Sequence, residues 1–394
     1  MSNTVKMGII GVGNMGSAHA KSLFAGNING MELGAVCDIA KSKRKWAEEN
    51  LPGTPVFADY KEMIASGLVD TILIATPHYL HPVIACEAFE AGLNVLTEKP
   101  AGVYTSAVQK MNDAAQKSGK VFGIMWNQRT NPLFQRARQM ILDGVLGQPK
   151  RLVWTVTNWY RSQAYYESGG WRATWAGEGG GVLLNQAPHN IDLWQWMVGL
   201  PTRVRAFCTE GKYHNIEVED DATIYAEYEN GASAVFITTT GEFPGTNRLE
   251  ISGDRGKMVL ENGELHFWKL DFSEREACYT ETAGFPSWKA EESVYTAEET
   301  EDGHLLILRN FTNAILHGEP LIAPGTDGIR ELTISNAAYL SSWTNDWVTL
   351  PLDEALFEQH LQQKIAASHT SEKKNGEDSS RTGGAYSVRW SVRW

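Results

Sequence analysis

The sequence predicts an α/β protein with two domains: an N-terminal doubly wound parallel sheet and a C-terminal domain built on a mostly antiparallel sheet. Strand-like and helix-like segments alternate from Val5 to Met125, which is typical of a parallel sheet with right-handed crossovers. Later, Asn230-Gly231 and Asn262-Gly263 lie between strand-like runs and predict hairpins. The length of 394 residues also exceeds that of one ordinary core.

The composition, with 42% hydrophobic and 21% charged residues, is that of a globular protein. A formal net charge of −12 argues against a surface for nucleic acid or anionic membranes. The N-terminus runs directly into a strand-like segment and no apolar run reaches transmembrane length, so we expect a cytoplasmic protein. The four cysteines form no CxxC pair and are expected to be buried thiols; no metal site is expected.

The first domain is expected to span residues 1–126. Its strands are predicted at Val5–Ile10, Glu32–Cys37, Pro55–Phe57, Val69–Ala75, Asn94–Thr97 and Val121–Met125, and its helices at Met15–Ala25, Lys41–Asn50, Asp59–Ala65, His81–Glu90 and Tyr104–Ser118. The run Val69–Ala75 is continuously apolar and rich in β-branched residues, as expected for a strand buried on both faces. Asp59 is predicted to cap the helix that it opens.

The second domain is expected to span residues 127–365. Its elements are predicted as a helix at Pro132–Leu142, long strands at Arg151–Tyr160 and Asp221–Tyr228, and late helices at His304–Leu316 and Gly328–Trp343. Residues 366–394 are polar, charged and glycine-containing and are predicted to form a flexible tail. They end in a repeated tetrapeptide, SVRWSVRW, which carries no weight in the fold prediction.

A glycine fingerprint, GVGNMG, lies between the first strand and the first helix and predicts a dinucleotide site. Gly11 permits a tight turn, Gly13 lets a pyrophosphate approach the backbone, and Gly16 allows close packing of helix on strand. The phosphates would lie at the helix N-terminus, where free N–H groups favour anions. The expected cofactor-binding residues of this turn are Gly11, Gly13, Asn14, Met15 and Gly16.

Asp38 ends the second strand, 22 residues after Gly16, where an acid that binds ribose hydroxyls is expected. A carboxylate there repels a 2′-phosphate, so NAD is the expected cofactor. Lys41, Lys43 and Arg44 follow closely and keep NADP open as an alternative, although we expect them on the solvated face of the next helix.

Other residues follow the ends of the parallel strands, where open α/β sheets bind ligands. The further cofactor-binding residues expected there are Thr76, Pro77, His81, Glu98 and Lys99. Because Pro100 favours an extended conformation at Lys99, that side chain can be fixed towards the nicotinamide end of the cofactor. A solvated surface lysine is the alternative.

A second cluster, GGGVLLNQAPHNID, begins at Gly179. Three glycines allow close backbone approach, and Pro188 suits the first turn of a helix. His189 then lies in that opening turn, with Asp192 three residues further on the same face. A structural histidine is the alternative to a catalytic one.

Three segments of the sequence together resemble the motifs of one protein family. In chain order they are GVGNMGSAHA, TPHYLHPVIACEAFEAGLNVLTEKP and GGGVLLNQAPHNID. Over residues 5–350 the chain resembles the glucose–fructose oxidoreductase / inositol dehydrogenase (Gfo/Idh/MocA) family. The resemblance implies an N-terminal Rossmann domain and a C-terminal α/β domain with a large, mostly antiparallel open sheet. It also implies an NAD(P)-dependent oxidoreductase that acts on one carbon of a sugar, inositol or related polyol, and a homodimer or homotetramer built through the sheet.

The resemblance assigns Lys99 and His189 as the catalytic acid–base pair. Family members with the full set have an aspartate four residues before the histidine, where this chain has Asn185. That difference argues against a mechanism that needs a carboxylate at this position, so Asn185 is expected to orient the histidine or the substrate. The expected substrate-binding residues are Lys99, Asn127, Trp159, Trp175, Asn185 and His189.

Two other functions use the same residues. Some relatives are NAD-dependent glycosidases that oxidise a sugar transiently, eliminate the glycosidic substituent, add water and reduce the product. Others are non-catalytic NAD-binding regulators, against which the presence of both Lys99 and His189 argues.

Overall fold

The computed structural model describes residues 4–297 and 301–368. The chain packs as two compact units, the first formed by the described residues of Met1–Thr130 and Glu301–Leu332, the second by those of Asn131–Thr300 and Thr333–Trp394. The chain first passes from one unit to the other after Thr130, four residues beyond the predicted boundary at 126. Residues 301–332, predicted within the second domain, pack with the first unit instead, because the helix they carry lies on its sheet.

A six-stranded parallel sheet forms the core of the first unit, in the order β3-β2-β1-β4-β5-β6. The strands are β1 (Val5–Ile10), β2 (Met31–Cys37), β3 (Val56–Phe57), β4 (Thr71–Ile74), β5 (Asn94–Thr97) and β6 (Phe122–Ile124). The strand order reverses direction between β1 and β4, so this pair is the switch point beyond which a ligand binds. The predicted doubly wound sheet is confirmed.

The helices of the first unit are α1 (Asn14–Phe24), α2 (Lys41–Asn50), α3 (Tyr60–Ala65), α4 (Leu80–Glu90), α5 (Thr105–Ser118) and α11 (Gly303–His317). Asp59 caps α3 by accepting a hydrogen bond from the backbone N–H of Lys61, as predicted. In α11, Phe311 is fully buried and lies so close to Gly123 of β6 that a Cβ atom there would meet its ring at 2.9 Å. Helix α12 (Gly328–Thr344) begins in the first unit and continues into the second.

The second unit contains a nine-stranded sheet in the order β14-β13-β12-β11-β7-β10-β9-β8-β15. The strands are β7 (Pro149–Val156), β8 (Arg203–Glu210), β9 (Glu219–Glu227), β10 (Ser233–Thr239), β11 (Asn247–Gly253), β12 (Gly256–Glu261), β13 (Glu264–Lys269), β14 (Glu291–Thr296) and β15 (Val348–Thr349). Strands β7 and β10 pair in parallel, and the other described pairs of this sheet are antiparallel. The hairpins predicted at Asn230-Gly231 and Asn262-Gly263 are both present.

One face of this sheet is buried. The helices of the second unit are α6 (Pro132–Leu142), α7 (Gln163–Tyr166), α8 (Val182–Asn185), α9 (Pro188–Val198), α10 (Glu274–Thr280) and α13 (Glu354–Ala367). The ring of Phe236 in β10 stacks on that of Trp194 in α9, with 5.9 Å between the ring centres. It lies edge-on to the ring of Trp154 in β7, with 6.3 Å between the centres. Phe134 of α6 contacts Trp154 at 5.8 Å. These rings close the core between the sheet and helices α6 and α9.

Some elements differ from their predictions. The strand predicted over Arg151–Tyr160 ends at Val156, because the chain then leaves the sheet and buries Trp159 among other side chains. Helix α13 was not predicted: it buries Phe357 and Leu361, too few apolar positions for a clear periodic pattern. It ends just inside the predicted tail, whose residues from 369 onward lie outside the described residues.

The cysteines are free thiols, as predicted, but they are not all buried. Cys37 is buried in β2, Cys86 and Cys208 are partly exposed, and Cys278 is exposed. Cys278 lies on α10, a helix that buries none of its residues, so no core is available to cover its thiol. As for membranes, no helix in the described part of the chain is both long and apolar enough to cross one.

Candidate active site

The glycine turn between β1 and α1 has two residues that must be glycine for packing reasons. Gly11 has φ +92°, and a Cβ atom there would lie 2.6 Å from the carbonyl oxygen of Ala75; one at Gly16 would lie 1.8 Å from the carbonyl oxygen of Gly11. At Gly13, by contrast, no atom of the described residues beyond its chain neighbours lies within 4 Å of such a Cβ. Packing therefore does not explain Gly13, and the approach of a cofactor to its backbone stays the predicted reason for the glycine.

Asp38 is held against this turn. Its Oδ2 accepts a hydrogen bond from the backbone N–H of Val12 and its Oδ1 from that of Ala40, both at 2.8 Å. Each carboxylate oxygen has a second lone pair, so the group can still accept from ribose hydroxyls. Arg44, expected on a solvated face, instead donates to the carbonyl oxygens of Asp38 and Ile39 at 2.9 and 2.7 Å.

His81 connects the two loops that follow β4 and β5. Its Nδ1 lies 2.8 Å from the carbonyl oxygen of Pro100, and its Nε2 lies 2.8 Å from that of Thr76. Burial lowers the pKa of His81, although the two carbonyl oxygens act in the opposite direction. His81 thus holds the two loops together, and its predicted role in cofactor binding stays a prediction. The buried Oγ1 of Thr76 has no hydrogen-bond partner among residues 4–297 and 301–368.

Glu98 points into the first unit, where its Oε1 lies 2.7 Å from Nε2 of His19. Its other oxygen accepts from the backbone N–H of Lys99 at 3.3 Å. Burial raises the pKa of Glu98, but the hydrogen bond and charge of His19, with His304 and Lys99, outweigh it and hold the pKa below its usual range. His19 was not singled out from the sequence, although it lies in the motif segment GVGNMGSAHA.

Asn127 follows β6 and is buried. Its Nδ2 lies 3.4 Å from Nδ1 of His304, whose Nδ1 also lies 2.9 Å from a carboxylate oxygen of Asp302. The Oδ1 of Asn127 is buried and, within the described residues, accepts no hydrogen bond. A buried acceptor of this kind is what a ligand donor would satisfy.

In the second unit, a fully buried carboxylate holds the glycine run before α8. Glu219 accepts hydrogen bonds from the backbone N–H groups of Gly181 and Leu183, each at 2.9 Å, and from the hydroxyl of Tyr339 at 2.8 Å. A Cβ atom at Gly181 would lie 1.9 Å from the carbonyl oxygen of Glu219. The glycine therefore permits the contact that fixes the start of α8. Burial raises the pKa of Glu219 to about 8.

Asn185, at the end of α8, is held by a second buried carboxylate that sequence reasoning missed. The Nδ2 of Asn185 donates to Oε1 of Glu178, and Oε2 of Glu178 accepts from the backbone N–H of Ala173 at 2.6 Å. Arg172 Nη1 lies 3.8 Å from Oε1 of Glu178. Glu178 stands in the sequence directly before the three glycines, which is the one signal that could have drawn attention to it.

His189 lies in the first turn of α9 after Pro188, as predicted, and is 3% exposed. Asp192, on the same helix, accepts a hydrogen bond from the side chain of Gln195 at 3.0 Å. The adjacent Asn190 accepts from the indole N–H of Trp159 at 3.3 Å. The structure thus places Asn185 and His189 on consecutive helices of one unit, and Lys99 at a strand end of the other.

The two tryptophans predicted to bind substrate are buried. Trp159 and Trp175 are each 2% exposed. The indole N–H of Trp175 donates to the carbonyl oxygen of Glu217 at 2.9 Å, and its ring packs edge-on against Tyr339 and Trp343. Both rings support the core of the second unit, and their contact with substrate stays a prediction. Among the described residues, no cluster of three or more His, Cys, Asp or Glu side chains is arranged to hold a metal ion.

Comparison with known proteins divides the chain near the point where it first passes from one unit to the other. Residues 5–125 match the model of an oxidoreductase family with an NAD-binding Rossmann fold, and residues 134–259 match that of the GFO/IDH/MocA C-terminal domain. The inositol 2-dehydrogenase of Salmonella paratyphi B is 30% identical over 267 residues, 65% of this chain and 74% of that protein. The rhizopine catabolism protein MocA of Rhizobium meliloti is 26% identical over 84% of this chain and 93% of its own length.

Solved structures share the fold. The WlbA dehydrogenase of Chromobacterium violaceum, in complex with NADH and UDP-GlcNAcA, is 28% identical with a TM-score of 0.76, over 90% of this chain and 98% of its own. A levoglucosan dehydrogenase in complex with NADH is 20% identical with a TM-score of 0.75, over 89% of this chain and 100% of its own, and shows similarity of fold. The first unit is thus an NAD-binding Rossmann domain, and the chain is an oxidoreductase.

The glycine turn gives a prediction that separates packing from cofactor binding. Gly13→Ala should leave the melting temperature nearly unchanged, because the added methyl group meets no atom of the described residues beyond its chain neighbours, but should weaken NAD binding about tenfold or more. Gly16→Ala is the matched control: its methyl group collides with backbone and should cost about 3 kcal/mol of stability. Thermal unfolding and NAD titration by tryptophan fluorescence measure both effects. Normal NAD affinity in Gly13→Ala would contradict the assignment of this turn.

The buried Glu219 gives a prediction about pH. Because its folded-state pKa of about 8 lies above the ordinary value of 4.5, the contribution of Glu219 to the free energy of unfolding should be largest below pH 4.5 and should be lost as the pH rises from 4.5 to 8. Glu219→Gln removes the ionisable group, so the difference in free energy of unfolding between the unmodified protein and this variant should shrink over this range. Urea unfolding at several pH values, with exposed Glu291→Gln as the control, tests this. Equal pH dependence in Glu219→Gln and the unmodified protein would refute it.

Proposed function

Because this chain belongs to the Gfo/Idh/MocA family of NAD-binding oxidoreductases, we propose that it is an NAD-dependent dehydrogenase of a sugar, inositol or related polyol. It interconverts one secondary alcohol and the corresponding ketone, with Lys99 and His189 as the acid–base pair. The observation that carries the proposal is that this chain contains both residues of the family's acid–base pair within their motifs: Lys99 follows β5, and His189 lies in the first turn of α9.

The chemistry follows from the residue types. NAD, when bound, supplies the hydride acceptor. Oxidation also requires the hydroxyl to lose its proton, and an imidazole, with its ordinary pKa near neutrality, suits this task. A ring nitrogen of His189 takes that proton in oxidation and returns it in reduction. Lys99 donates a hydrogen bond to the same oxygen and stabilises its developing negative charge.

NAD is favoured over NADP by the residues around the ribose site. Asp38 presents a carboxylate there, which would repel a 2′-phosphate. Arg44, the basic residue that approaches Asp38, already donates to two backbone carbonyl oxygens. Thr76 Oγ1 and Asn127 Oδ1, buried polar atoms that follow β4 and β6, are suited to bind the cofactor or the substrate.

The names of the relatives support a carbohydrate-like substrate. Two arginines of the second unit indicate that this substrate could carry a negative charge. The side chains of Arg161 and Arg172 lie 5.1 and 4.7 Å from the ring centre of Tyr165. The hydroxyl of Tyr165 in turn lies 3.2 Å from the side chain of Gln186, next to Asn185 in the chain. A substrate panel should therefore include sugar acids beside neutral sugars and inositols, with NAD and NADP, followed at the NADH absorbance.

Two alternatives remain distinguishable by product. An NAD-dependent glycosidase would use the same residues and release an aglycone without net NADH, so the panel should also include glycosides. A regulator would bind NAD without turnover of any member of the panel.

We infer that the chain forms a homodimer or homotetramer through the face of the nine-stranded sheet opposite the helices. On that face Phe207 and Tyr225 are 59% and 37% exposed, and Val153, Val235 and Ile237 are partly exposed. A face with this apolar content needs cover.

Alanine variants test the acid–base pair. His189→Ala and Lys99→Ala should each lower turnover by about 10²–10⁴-fold, the usual effect of losing a positioned acid–base group, while NAD affinity stays nearly constant in His189→Ala. His317→Ala and Lys117→Ala, at exposed positions, are the matched controls. Near-normal turnover of a confirmed substrate by both test variants would overturn the catalytic assignment and favour a regulator.

The oligomer is tested by light scattering at micromolar concentration. The unmodified chain should give the mass of a dimer or tetramer, and Ile237→Arg, in the middle of the proposed face, should shift the mass towards the monomer. Leu142→Arg, at an exposed position at the end of α6, is the control and should not. A clean monomer mass for the unmodified chain would disprove the inference.

A further inference from the structure

Glu178 uses both of its carboxylate oxygens, and it uses them on two different kinds of donor. One oxygen accepts from the backbone N–H of Ala173 at 2.6 Å, and the other accepts from the side-chain amide of Asn185. The side chain of Glu178 is 3% exposed, and Arg172 places a positive charge 3.8 Å away, which offsets part of the cost of burying a carboxylate. This arrangement fixes Glu178 as an acceptor on both sides.

The backbone contact cannot easily be given up. Ala173 has φ +60°, in the left-handed region that residues other than glycine rarely adopt. Its N–H is bound by Glu178, and its carbonyl oxygen accepts from the backbone N–H of Glu217 at 3.2 Å. These two bonds hold Ala173 in an unfavourable conformation, so an oxygen atom is required at this side of residue 178.

The contact with Asn185 determines which way the amide faces. A primary amide has a donor end and an acceptor end, and an ionised carboxylate can only accept. The amide nitrogen must therefore face Glu178, and the amide oxygen must face the opposite side. Asn185 thus presents an acceptor oxygen, as a carboxylate would, although it carries no charge.

We propose that Glu178 is a positioning residue of the active site, which orients Asn185 so that its amide oxygen accepts a hydrogen bond from the substrate or from His189. This inference rests on the proposed dehydrogenase function and adds a residue to it. The pair divides two tasks: Glu178 supplies the buried charge, and Asn185 supplies the acceptor. The identity of residue 185 is then coupled to that of residue 178.

The coupling predicts the behaviour of three variants. In Glu178→Gln, one side-chain oxygen remains, and the backbone N–H of Ala173 requires it. The new amide nitrogen then faces Asn185, so the Asn185 amide must turn around. Asn185 would then present a hydrogen-bond donor to the active site instead of an acceptor. Turnover should fall about 100-fold, as for other displaced catalytic groups, with NAD affinity unchanged. In Asn185→Asp, two carboxylates face each other, and turnover should also fall, most strongly at higher pH where both ionise.

The double variant Glu178→Gln/Asn185→Asp should recover most of the lost turnover. The amide oxygen introduced at position 178 accepts from Ala173, its amide nitrogen donates to one carboxylate oxygen at position 185, and the other carboxylate oxygen faces outward as an acceptor. Glu167→Gln, at an exposed position, is the matched control. A double variant no more active than Glu178→Gln, or full activity in Glu178→Gln, would overturn the inference.

A measurement that needs no substrate separates this inference from the proposed function. In asparagine-selective ¹⁵N spectra, the side-chain amide of Asn185, identified by its loss in Asn185→Asp, should exchange slowly with solvent in the unmodified protein. Exchange should be faster in Glu178→Gln. Unchanged exchange would overturn the positioning role whatever the activity; a changed rate, in a protein that turns over no sugar, would keep the orientation of Asn185 and remove the dehydrogenase function.

Discussion

Three buried carboxylates, Glu98, Glu178 and Glu219, hold the backbone on which the candidate site residues lie. Burying a carboxyl group is costly unless hydrogen bonds compensate for it, and an ionised one also needs opposite charge nearby. Each carboxylate is compensated by donors from the segment that it fixes: the backbone N–H of Lys99, the amide of Asn185, and the N–H groups of Gly181 and Leu183. Moving any of these segments would leave a buried carboxyl group without its hydrogen-bond donors, which disfavours other conformations of these segments.

The division of labour in each unit follows from this constraint. In the first unit, the residues predicted to contact a ligand follow the ends of parallel strands, and His19 and His81 contact the segments that carry them, at Glu98, Thr76 and Pro100. In the second unit, Glu178 and Glu219 bind the two ends of the segment that leads to His189. The candidate site residues are thus ordinary in type, and buried polar residues that sequence reasoning did not single out, such as His19 and Glu178, lie in contact with the segments that carry them.

Features that depend on neighbours in the chain were predictable. The alternation of strands and helices, the glycine turn with Asp38, the Asn-Gly hairpins and the helix start at Pro188 all follow from local patterns. Contacts between distant residues were not: His19 and Glu98 are 79 positions apart, and no local pattern pairs them. The two buried tryptophans show the same limit, because a large aromatic residue suits a substrate surface and a core equally well.

The parallel pairing of β7 with β10 has a consequence for how the second unit assembles and diversifies. Residues 157–232 lie between these two strands in the chain, and they contain Glu178, Asn185 and His189. The centre of the sheet therefore forms only when two strands that are far apart in the chain come together. Such pairing raises the contact order and slows folding. The part of this segment that precedes β8 belongs to no strand of the sheet. Its length or sequence can therefore change without disturbing the pairing of β7 with β11. If this segment binds the substrate, as we propose, a change of substrate preference need not alter the central sheet.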